Sequence, residues 1–85
     1  MDQEILELIR NIFIKAYLKD ETISREKMLN ELSISEVEFN EIIYYLENTS
    51  FIDKQQMHKD IWMWLNSKHP IAKKLLKGVQ QQIYF

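Results

Sequence analysis

The sequence predicts a small α+β domain, mostly helical, in which three helices precede a two-stranded hairpin and a further helix closes the chain. Three observations carry this expectation. Two helix starts lie back to back, at Ser24 and Ser35, with only Leu32-Ser33-Ile34 between them for a turn. From Phe51 the apolar period changes from that of a helix to that of a strand. After the strands, Asn66-Ser67 and then Pro70 mark one more helix start.

Helix one is expected from Asp2, as cap, to about Lys19, with Glu4 in its first turn and Lys15 and Lys19 at its end, as the macrodipole prefers. Ile5, Leu8, Ile9, Ile12 and Ala16 form one stripe at helical spacing, and Leu6, Phe13 and Tyr17 widen it. Ile14 and Leu18 then fall on the solvent side. So much apolar surface on one helix exceeds what a small core needs. Helix two runs from Arg25 to about Leu32, capped by Ser24, stapled by Ile23 and Met28, and burying Met28, Leu29 and Leu32.

Helix three, from Glu36 to about Asn48, has the better start. Ser35 and Glu38 have the spacing of a capping box, and Ile34 and Phe39 that of a hydrophobic staple. Phe39, Ile42, Ile43 and Leu46 repeat at i, i+3, i+4 and i+7 and face the core. Val37, Glu41, Tyr44 and Asn48 then point outward, with Asn40 and Tyr45 beside them.

Phe51-Ile52 opens an extended stretch, and Ile61, Met63 and Leu65 alternate with Trp62, Trp64 and Asn66, the period of a strand. Lys59-Asp60 is the expected turn. Met57, Ile61, Trp64 and Leu65 also fit a helix over residues 57–66, but two Trp two apart beside β-branched Ile61 suit a sheet better. In the closing helix, Ile71, Ala72, Leu75, Leu76 and Val79 line one face and Lys73, Lys74 and Lys77 the other, with Gly78 as the expected stop. Residues 80–85 end apolar, in Ile83-Tyr84-Phe85, and are expected to dock on this domain or a neighbour.

At 85 residues the chain is read as one domain, residues 1–85, large enough for a small core. It has no Cys, which excludes a disulfide scaffold and a thiolate zinc site. No apolar run approaches the ~20 residues of a membrane span, and Met1-Asp2-Gln3-Glu4 does not open a signal peptide. A cytoplasmic location is the expectation. The net charge of −2 hides an asymmetry: residues 1–50 carry −6 and residues 51–85 carry +4. Such halves attract each other, or different partners.

This order of elements resembles the winged-helix (winged helix-turn-helix) superfamily, as found in many small bacterial and phage regulators. The likeness is carried by Leu46 to Ile52, similar to the junction of the third helix with the wing, and by Ile61 to Leu76, similar to the wing strand entering the last helix. There Leu65-Asn66 stands where an apolar residue and Thr are frequent. Ser50 and His69 depart from the pattern, since Gly is usual at both. The resemblance implies a transcription regulator with its second helix-turn-helix helix in a DNA major groove. That helix here carries Glu36, Glu41 and Glu47, and no Lys or Arg occurs between Lys27 and Lys54. Phosphates repel such a face, so standard docking is disfavoured.

The expectation is therefore a non-enzymatic protein needing no metal and no cofactor, with neither a membrane nor a small-molecule substrate as partner. Its protein-binding face is Val37, Asn40, Glu41, Tyr44, Tyr45 and Asn48, aromatics amid carboxylates that suit a partner with a basic surface. Leu6, Phe13, Ile14, Tyr17, Leu18, Ile83 and Phe85 are expected to form a homodimer. The alternative is a DNA-binding regulator using Lys54, His58, Lys59 and Trp62 of the wing and Lys73, Lys74 and Lys77 of the closing helix. His58 and His69 have no carboxylate at ligand spacing and read as surface histidines; Glu38 is explained by its cap.

Overall fold

A computed structural model describes residues 1–83, with side chains through Val79. In chain order the elements are α1 (Gln3–Leu18), β1 (Ile23–Ser24), α2 (Arg25–Glu31), α3 (Glu36–Asn48), β2 (Ile52–Met57), β3 (Asp60–Leu65) and α4 (Pro70–Ile83). The chain is thus a small, mostly helical α+β domain whose three strands form one antiparallel sheet in the order β1-β3-β2.

The helix starts are set by local capping. Asp2 accepts from the N–H groups of Glu4 and Ile5, Ser24 Oγ from Lys27, and Ser35 Oγ from Glu38 at 3.1 Å. The boundaries of α3 agree with those read from its cap and periodicity, and Phe39, Ile42, Ile43 and Leu46 are all buried. The α3 end is closed by Ser50, held at φ +63° in the left-handed region where Gly is ordinary.

The strand reading of residues 57–66 holds and the helical one does not. Its turn, however, is His58-Lys59, one residue earlier than expected, because Met57 pairs with Asp60. His58 takes φ +60° in place of Gly, and histidine is among the residues that tolerate this region better than most. The sheet also gains a third strand: Ile23 and Ser24 pair with Met63 and Trp62. Two residues are too few to show an alternation.

The core gathers Ile9, Phe13, Phe39, Ile42, Leu46, Phe51 and Met63, each with essentially no exposed surface. Burying a side chain of this size is worth about 1.5–3 kcal/mol. Around α1 the core face is centred on Leu6, Ile9 and Phe13, rotated from the expected stripe, and Ile14 is also buried. Leu8 is 52% exposed, while Ile5, Ile12 and Ala16 are half-buried. α4 does not stop at Gly78 but continues to Ile83. Gly78 has ordinary helical backbone and open space around it, so it acts as a weak helix former rather than a cap. Ala72 is buried on this helix, whereas Ile71 is 38% exposed.

Candidate interaction surface

The outer face of α3 is fixed by its inner one. With Phe39, Ile42, Ile43 and Leu46 in the core, the 3.6-residue repeat turns Val37, Glu41, Tyr44 and Asn48 to solvent. Val37 is 79% exposed and Tyr44 66%, the two most exposed large apolar side chains described. Tyr45 flanks them at 39%. The amino group of Met1 lies 3.8 Å from Glu41, which brings the start of α1 to the edge of this face.

Asn40 does not belong to it. Its side-chain oxygen accepts a hydrogen bond from the Arg25 guanidinium, and Arg25 also lies 5.3 Å from the centroid of the Phe39 ring. Asn40 and Arg25 therefore tie α2 to α3. Glu47 is likewise turned away, half-buried and paired with Lys54 at 2.9 Å. Sequence spacing places Lys54 on the hairpin. It does not reveal that residue 54 lies opposite Met63, on the sheet face toward α3, where Glu47 reaches it. Arg25 and Lys54, which flank α3, are thus both engaged.

The other residues expected to contact DNA are scattered. His58 and Lys59 are exposed at the hairpin turn, and Lys73, Lys74 and Lys77 are exposed on α4. Trp62 and Trp64 project from the sheet face opposite Met63 and are half-buried. Trp62 borders a groove of about 380 Å³ between α1 and α2, and Trp64 a hollow with Tyr17 and Thr22. His69 has a structural role: Nδ1 accepts from the Ile71 N–H at 3.1 Å, capping α4, and the ring meets Phe51 edge-on at 5.5 Å.

Of the residues expected to form a dimer, Leu6, Phe13 and Ile14 are 3%, 0% and 2% exposed and belong to the chain's own core. Their surface is already covered, because α1 packs against the sheet and α4 over a wider arc than one stripe supplies. Tyr17 and Leu18 are each 44% exposed. The side chains of Ile83 and Phe85 lie outside the described residues.

Asp60, expected in the hairpin turn, has a capping role that the sequence did not reveal. The Ser24 hydroxyl donates to its carboxylate, and the N–H groups of Ile61 and Glu26 donate to Oδ1 at 2.8 and 3.3 Å. The Ser24 hydrogen bond most of all, with these N–H groups and the charge of Arg25, holds the Asp60 carboxyl below the usual carboxylate range, against the opposing effect of desolvation. Asp60 thus acts as a second cap on α2, supplied from β3 to the Glu26 N–H across 34 residues of sequence. Among the described residues no group of three or more His, Asp or Glu is placed to hold a metal, and no helix is long and apolar enough to cross a membrane.

The chain matches no protein-family model, no curated protein and no solved structure.

Proposed function

We propose that this chain is a winged-helix regulator that acts without catalysis, by binding a protein with a basic surface through the outer face of α3. The observation that carries the reading is the strip Val37, Glu41, Tyr44 and Asn48, where two highly exposed apolar side chains sit beside carboxylates on a helix with no Lys or Arg. Aromatic and aliphatic side chains exposed in this way bury area at low entropic cost, and the acids orient a cationic partner. The winged-helix assignment is supported by the order of elements and by the pairing of β1 with the hairpin.

An acidic α3 is a poor reader of DNA. Affinity for a duplex comes from cations on phosphates, and Arg25 and Lys54 are turned to Asn40 and Glu47. The test pairs two measurements. Proteins captured from a cell extract by the wild type are purified and titrated against the variants; Tyr44→Ala and Glu41→Lys should each lose the partner, and Lys59→Ala should keep it. Mobility shift on mixed-sequence DNA then checks the other class. Binding that Glu41→Lys strengthens and Lys59→Ala or Lys73→Ala weakens, with Tyr44→Ala silent in capture, overturns the proposal in favour of DNA.

A further inference from the structure

The solvent side of α1 carries a second surface centred on Leu8, with Ile5 and Ile12 at its edge packing in part against the core. Ile5, Leu8 and Ile12 recur at alternating steps of three and four, and the same steps lead on to Lys15 and Lys19. This is the spacing of a helix–helix seam. Leu8 is 52% exposed, Ile5 and Ile12 are half-buried, and both lysines are exposed. Glu4 borders the opposite end. Among the described residues none of Glu4, Lys15 and Lys19 forms an ion pair within the chain.

We infer that this seam is covered by the same seam of a second copy, with the two α1 helices antiparallel about a two-fold axis. The charges choose the direction. A parallel pair stacks Lys15 and Lys19 on their own counterparts, whereas an antiparallel pair sets Glu4 of each copy against Lys15 and Lys19 of the other. In that register Leu8 meets Ile12, and Ile5 reaches the Lys15–Ala16 end of the partner. There the groove of about 380 Å³ between α1 and α2 offers an apolar floor that includes Ala16 and Met28, beneath a rim carrying Lys15 and Lys19. The apolar and charged parts of the seam are therefore both self-complementary, as a symmetric interface requires. A helix of 16 residues is about 24 Å long, so the interface is small and the dimer weak and salt-sensitive. The inference is independent of the α3 face, since it uses neither its residues nor its partner.

The test is light scattering after gel filtration of the full chain over a range of concentrations. The wild type should rise from 10.4 kDa toward twice that mass. Leu8→Glu should remain monomeric with an unchanged circular dichroism spectrum. Glu4→Lys and Lys15→Glu should each weaken association about threefold to thirtyfold, since every substitution acts twice in a symmetric dimer. The two changes combined in one chain should restore it. A mass of 10.4 kDa at every concentration, a dimer that survives Leu8→Glu, or charge variants that neither weaken alone nor recover together would each overturn the proposal.

Discussion

Replacing Phe39 by Ala tests the part of the architecture on which the α3 face depends. The Phe39 ring has no exposed surface, and its backbone N–H bonds to the Ser35 carbonyl at 3.0 Å in the first turn of α3. Truncation to Ala removes an aromatic ring from a closed core, for which the usual cost is about 3–5 kcal/mol. Arg25 also loses the ring face on which it rests at 5.3 Å, which adds about 0.5–1 kcal/mol. A loss of about 3.5–6 kcal/mol follows. That is a large fraction of what a domain of 85 residues possesses, about 4–13 kcal/mol. Ser35→Ala is the control. It removes only the acceptor for the Glu38 N–H at an exposed cap, at about 1 kcal/mol. Urea denaturation followed by circular dichroism separates the two, read as midpoint shifts at equal slope. Equal losses for Phe39→Ala and Ser35→Ala would refute the placement of Phe39 in the core and of Ser35 at the cap.

Further outcomes follow from the same geometry. Because the folded-state pKa of Asp60 is depressed, its carboxylate contributes stability that is present above the unfolded-state pKa and is lost as pH falls through the lower, folded value. The gap in urea midpoint between the wild type and Asp60→Asn should therefore narrow as the pH is lowered through the acid range, and a gap independent of pH would contradict the cap. Ser50→Gly should stabilise the chain by about 0.5–1 kcal/mol, the relief of a left-handed serine less the entropy of glycine, and a thermal melt reads the sign. Loss of stability instead would mean that the Ser50 side chain makes a contact worth more than the strain at its φ of +63°.

What this sequence determines by itself is local. Ser24, Ser35 and Asp2 announce their helices because a cap acts within three residues, and the burial of Phe39, Ile42, Ile43 and Leu46 follows from a period that no neighbour needs to supply. The exposure of Val37, Glu41 and Tyr44 was legible for the same reason: once one face of a helix is buried, the other is known. The strand alternation from Ile61 to Leu65 was likewise readable, although its turn was misplaced by one residue, since neither Gly nor Asn marks the left-handed position that His58 occupies. Tertiary structure alone decided the rest. Whether Leu6 and Ile14 face a core or a partner depends on how many elements surround α1, which no periodicity in α1 records. The two-residue strand β1 exists only because β3 offers it an edge. Asn40, Glu47 and Lys54 looked free in the sequence because their partners lie on other elements, Arg25 on α2 and the hairpin against α3, and a charge is engaged or available according to what folds within about 4 Å of it. Asp60 reaches Ser24 by the same route, so the second cap of α2 became visible only when the sheet closed.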